Sequence, residues 1–176
     1  MSGLMSAMEV LFRRIPGFKA DEVMTGTHHF ENVDVFVHHY AKELPMEFRG
    51  TWGSDNLVGF LQNLLTASPA IAELKGVVDI DGLCEAAPMQ GTLELRYLVD
   101  ATIKYEFFFS VGDDEYRYVG QKLNLRPWNL HKTHTTCYGI LMKRDPNGCT
   151  WEPISKSVTY FRLSTALAFL KSFRLT

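Results

Sequence analysis

The sequence predicts a mainly β fold in which antiparallel strands close into a single small barrel. Three observations carry this. Short runs of strictly alternating apolar and polar residues recur along the chain, separated by Gly, Asp, Asn and Pro. Aromatic residues make up 12% of the chain and cluster in its second half, within those runs. Glycines 50, 76, 91, 120 and 139 fall inside strand patterns, where they mark the bends of a strongly curved sheet.

The alternation is clear at Leu74, Gly76, Val78 and Ile80 against Glu73, Lys75, Val77 and Asp79. It recurs at Leu93, Leu95, Tyr97 and Val99 against Thr92, Glu94, Arg96 and Leu98. Each run has one wet and one dry face. Residues 102–123 read as a hairpin turning at Gly112-Asp113-Asp114. With Asp113 and Asp114 as the loop, Phe109 faces Tyr118, Phe107 faces Gly120 and Tyr105 faces Lys122. Ile103, Tyr105, Phe107, Phe109, Tyr116 and Tyr118 then share one side. Lys104, Glu106, Phe108, Ser110, Glu115, Arg117 and Gln121 share the other, and a slip of one residue would mix the two sets.

Further strands are expected at about 22–31, 46–53, 131–143 and 152–163, giving about eight, enough to enclose side chains or one small ligand. Two short helices interrupt them. Asp55 is the expected cap of a segment carrying Leu57, Phe60, Leu61, Leu64 and Leu65 on one face, which Ser68-Pro69 ends. Ser164 is the expected cap of a second, running through Leu167, Leu170 and Lys171.

With 176 residues the chain fits one domain, 1–176, with 1–17 as an N-terminal extension; no repeat, low-complexity tract or linker divides it. The net charge of −2 and the lack of a basic stripe argue against nucleic acid as a partner. Met1 to Val10 lack the pattern of a signal peptide, and no apolar run approaches the roughly 20 residues that cross a bilayer. The three cysteines, Cys84, Cys137 and Cys149, form no CxxC and leave an odd one, which suits unpaired thiols in a reducing, cytoplasmic setting.

Six histidines occur as His28-His29, His38-His39, His131 and His134. Neighbours on a strand point to opposite faces, so each pair offers at most one inward ligand, and solvated or singly bonded histidines are expected rather than a metal or haem site. Inward polar groups are the better lead. On the strand from Lys132, the set His134, Thr136, Tyr138, Ile140 and Met142 is the more apolar and is expected to face inward. The hairpin places Lys122 on the side of Tyr105 and Tyr118. A desolvated ammonium is costly unless paired or functional, and replacing it with methionine is expected to spare the fold. Snorkelling of Lys122 at a barrel mouth is the plainer reading. Ser-His-Asp order, a nucleophile elbow, a P-loop and paired carboxylates are all missing, so no reaction and no cofactor is indicated.

Phe18 followed by Glu22-Val23-Met24-Thr25-Gly26, Tyr118-Val119-Gly120-Gln121-Lys122, His134-Thr135-Thr136-Cys137-Tyr138 and the ending Phe169-Leu170-Lys171-Ser172-Phe173-Arg174 together form a recognisable set. It resembles the small accessory domain found beside cholesterol-oxidase-like (GMC-type) flavin oxidoreductases, and beside some hydrolases, in bacterial proteins. The resemblance implies a lipocalin-like, calycin-type barrel and an apolar ligand, or an accessory role beside a lipid- or sterol-acting enzyme. It supplies no catalytic residue, and the chain has no flavin-binding GxGxxG.

Three readings follow. The leading one is non-catalytic binding of a hydrophobic small molecule, sterol or fatty-acid-like, in a barrel lined by Tyr105, Phe107, Phe109, Tyr118, Lys122, His134 and Tyr138. The second is an enzyme using the same cavity with His134 or Lys122 as acid or base. The third is a docking module for an oxidoreductase or hydrolase.

Overall fold

The computed structural model describes residues 16–31, 43–125, 135–161 and 166–176. In chain order the elements are β1 (Phe18–Phe30), β2 (Leu44–Ser54), α1 (Leu57–Leu64), β3 (Ala70–Ile80), β4 (Cys84–Arg96), β5 (Thr102–Val111), β6 (Asp114–Lys122), β7 (Thr136–Arg144), β8 (Trp151–Phe161), α2 (Ala166–Ser172) and β9 (Arg174–Leu175). Each strand from β2 to β8 pairs antiparallel with the next, β8 pairs with β1, and β1 pairs with β2, which closes the sheet into an eight-stranded up-and-down barrel. Closure leaves no long edge of unpaired backbone groups. The two-residue β9 is an addition that alternation did not predict; it covers Phe18 and Lys19 just before β8 takes over as the neighbour of β1 at Met24.

The predicted faces of the β5–β6 hairpin are those observed, but the register is not. Phe107 pairs with Tyr118, Phe109 with Tyr116, Tyr105 with Gly120 and Ile103 with Lys122. The loop is Gly112-Asp113 rather than Asp113-Asp114, because Val111 pairs with Asp114 and Gly112 takes φ +60. A two-residue hairpin loop needs positive φ at its first position, where glycine has no steric penalty. The correction moves the partners by two residues and therefore leaves every side chain on its expected face.

The first helix is capped by Asn56, not Asp55: the Asn56 side chain accepts a hydrogen bond from the Gly59 amide at 2.8 Å. Its apolar stripe is narrower than expected. Phe60 is buried, while Leu61 and Leu65 stay exposed. Ser164 and the Leu167 side chain lie outside the described residues, as do His38, His39, His131 and the start of the strand expected from 131.

The barrel interior is built in layers. At the end carrying the Gly112 turn, Phe109 stacks on Tyr116 at 5.2 Å, and Met46 pairs with Ile80 across β2 and β3 in the same core cluster. In the middle, Phe107 stacks on Tyr118 at 4.7 Å, and Phe48 packs against both. Phe107 and Tyr118 are 0% exposed, so no water-sized space adjoins either ring. Both helices lie at the opposite end. There Phe60 of α1 and Phe173 just beyond α2 pack on Phe18, at 4.8 and 5.4 Å, and Phe169 of α2 packs on Phe161 and Trp52. The C-terminal segment is held to β1 by an Arg174–Asp21 ion pair at 3.0 Å and by the Ser172 hydroxyl accepting from the Asp21 amide at 2.8 Å. Cys84, Cys137 and Cys149 are all free thiols. No helix among the described residues is long and apolar enough to cross a membrane.

Candidate functional site

Beneath the helical end, alternation along three strands directs polar groups into an aromatic layer of the packed interior. On β1 the inward set runs Phe18, Ala20, Glu22 and Met24; on β6 it runs Tyr116, Tyr118, Gly120 and Lys122; β5 contributes Ile103 and Tyr105. Lys122 Nζ donates to Glu22 Oε1 at 2.9 Å, and the two side chains are 4% and 9% exposed. The Tyr105 hydroxyl donates to the same carboxylate, at 3.1 and 3.2 Å from its two oxygens. The ammonium also lies 5.1 Å from the centre of the Tyr105 ring and 5.8 Å from that of Phe161.

The neighbouring groups are held neutral. Burial, then the negative charge of Glu22, drives the Tyr105 hydroxyl well above the usual phenol range and brings the half-buried Tyr97 up to about 12. Burial also raises the Cys137 thiol to about 11, against the opposing pull of the Lys122 cation. At neutral pH Tyr97, Tyr105 and Cys137 therefore remain protonated around one compensated ion pair. Such a pair is expensive to desolvate and rarely improves on an apolar replacement for stability alone.

Polar groups continue down one wall of the barrel along Ser155, Ser157 and Thr159 of β8, all buried. The Tyr118 hydroxyl meets Ser157 Oγ at 3.1 Å. His28 Nε2 lies 3.0 Å from the Asp81 carbonyl and its Nδ1 lies 3.0 Å from Ser155 Oγ. A carbonyl can only accept, so Nε2 carries the proton and Nδ1 accepts from the serine. Above the ion-pair layer, Trp52 Nε1 is buried with no hydrogen-bond partner among the described residues. Trp52 is the next inward position on β2 after Gly50, and Gly50 pairs with Glu22.

Of the residues predicted to line the interior, Tyr105, Phe107, Phe109, Tyr118 and Lys122 face inward and are buried. Lys122 does not snorkel; it is paired. Tyr138 is a correction: it faces out at 55% exposure, with Ile140 beside it, and the inward face of β7 is Cys137, Gly139 and Leu141. The apolar set of the two lost because the inner wall needs small residues there. A Cβ on Gly139 would lie 2.1 Å from the Tyr118 oxygen. His134 lies outside the described residues.

Glu22, Tyr97 and Trp52 were not among the site residues expected from the sequence. A signal for Glu22 exists: Phe18, Ala20 and Met24 share its alternation face, so an inward Lys122 had an inward carboxylate available.

Outside the barrel, Val119, Tyr138, Ile140 and Val158 line a groove of about 560 Å³, rimmed by Gln121, Lys156 and Glu43. Among the described residues no three His, Cys, Asp or Glu side chains converge as a metal site would require.

The fold and site together define a closed eight-stranded antiparallel barrel with a buried ion pair under a helical cover. Comparison of the chain with models of known protein families finds no match, and comparison with curated proteins finds none either.

Proposed function

We propose that the protein binds a hydrophobic small molecule at the end of the barrel covered by α1 and α2, without catalysing a reaction. The observation that carries this reading is the Lys122–Glu22–Tyr105 cluster, buried among aromatic rings. Ligand sites combine an apolar wall with a few convergent polar groups, and this is the one place in the described interior where a charged pair meets such a wall. The unpaired Trp52 N–H one layer above supplies a second donor that an occupant would satisfy.

Because Phe48, Phe107 and Tyr118 fill the middle of the barrel, the occupant takes the upper layer and displaces the helical cover rather than the core. The cover is held by the packing of Phe60, Phe169 and Phe173, by the short β9 pairing and by surface ties of Asp21 to Ser172 and Arg174, so its release breaks far fewer backbone bonds than opening the sheet. The resemblance to lipocalin-like accessory domains is in keeping with an apolar ligand such as a sterol.

The test is native mass spectrometry of the purified protein, followed by solvent extraction. A co-purifying lipid or sterol, or a mass shift on adding cholesterol, supports the reading. A single apo mass under all these conditions counts against it.

A second reading draws on the outer groove at Val119, Tyr138, Ile140 and Val158, which offers apolar surface to a protein such as a lipid-acting oxidoreductase or hydrolase. Loss of association with such an enzyme on Tyr138→Ser, with ligand binding unchanged, would favour it.

A further inference from the structure

We propose that the Glu22–Lys122 pair makes this site select a neutral hydrogen-bonding head group, an alcohol or a carbonyl, and reject a carboxylate. The inference rests on the ligand-binding reading above and narrows it to a ligand class. A carboxylate-reading site presents a cation whose charge is not already balanced. Here the only cation of that layer among the described residues is Lys122, and it already donates to Glu22 Oε1 at 2.9 Å with 4% of its side chain exposed.

Bringing a second carboxylate to Lys122 would place two anions around one ammonium in a site with almost no water. Tyr97, Tyr105 and Cys137, all held neutral by burial, offer no second positive charge. A primary amine fails for the mirror reason. A hydroxyl suits both halves of the pair, because it can accept from Lys122 and donate to Glu22, whose Oε2 receives only Tyr105 at 3.2 Å among the described residues. A carbonyl can use the Lys122 ammonium or the Trp52 N–H. The fatty-acid end of the expected range is therefore disfavoured, and long-chain alcohols, sterols and ketones are favoured.

The experiment uses the full-length protein and three pyrene-tagged probes of one chain length, ending in an alcohol, a carboxylate or an amine. Fluorescence titration of the wild type is expected to give alcohol binding at least about ten-fold tighter than either charged probe, a modest share of the penalty for an uncompensated buried charge. Glu22→Gln leaves Lys122 unbalanced and is expected to reverse the order, with the carboxylate gaining about ten-fold or more over the alcohol. Thermal melts with each probe follow the same reversal should Glu22→Gln be only marginally folded, since the carboxylate would then raise its Tm most.

Carboxylate binding on a par with the alcohol in the wild type overturns the head-group assignment while leaving the ligand-binding reading intact. An unchanged preference in Glu22→Gln does the same. Failure of all three probes to bind wild type overturns the ligand-binding reading and this inference with it.

Discussion

Lys122 and Glu22 meet 2.9 Å apart across the inside of the barrel, one from the end of β6 and the other from β1, and neither is accessible to solvent to any useful degree. The pair makes the fate of Lys122→Met depend on its partner. Removing the ammonium strands the Glu22 carboxylate, so the substitution is expected to cost about 3–5 kcal/mol, the range for breaking a buried pair, rather than spare the fold. The double variant Glu22→Gln/Lys122→Met removes both charges and is expected to recover most of that loss. Urea denaturation of the four proteins in the cycle checks it; strictly additive losses would show that the pair is not coupled.

Tyr118 lies so close over Gly139 that a methyl group there would sit 2.1 Å from the phenol oxygen and 2.6 Å from Ser157 Oγ. Gly139→Ala is expected to destabilise by about 1–3 kcal/mol through overpacking, despite leaving every hydrogen-bonding group in place. A Tm equal to that of wild type would place the Tyr118 ring elsewhere.

The acid limb of stability should follow His28. Burial lowers its pKa from 6.5, against the opposing hydrogen bond to the Asp81 carbonyl, and its folded form is the neutral tautomer. A depressed histidine gives stability that is fully present above the unfolded pKa and is lost as pH falls from 6.5 toward the folded value. The slope contributed is at most about 1.4 kcal/mol per pH unit. In His28→Gln, whose amide can still donate to the Asp81 carbonyl, denaturation midpoints between pH 6.5 and 5 are expected to flatten by that amount.

Phe107 and Tyr138 test the inside and outside of the same wall. Phe107→Ala empties a fully buried site and is expected to cost about 3–5 kcal/mol. Tyr138→Ser removes a ring that is 55% exposed and is expected to shift stability by no more than about 0.5 kcal/mol. Comparable losses in the two variants would return Tyr138 to the core.

Period-two alternation by itself determined that this chain is mainly β, and it assigned the faces of β3, β5 and β6 correctly and those of β4 as far as Arg96, beyond which the chain turns and Val99, expected on the dry face, is exposed. It did so because a strand buried on one side repeats its polarity every second residue, whatever its neighbour is. That same property hid the hairpin register: moving the partners by two residues leaves the pattern unchanged, so the backbone of Gly112 decided it. On β7 the pattern was ambiguous. Thr136, Tyr138 and Ile140 formed the more apolar set, yet Cys137, Gly139 and Leu141 went inside because Tyr118 on the next strand had already taken the space that a larger side chain would need. The ion pair was legible only in halves. Lys122 stood out as an inward cation in an aromatic run, while Glu22, near the start of β1, was named only within the Glu22-Val23-Met24-Thr25-Gly26 stretch and given no face. Their meeting depends on closure of the sheet, which faces β6 toward β1 across the interior, with 100 positions of chain between them. No local pattern encodes that distance, and only the tertiary structure brings the two charges together.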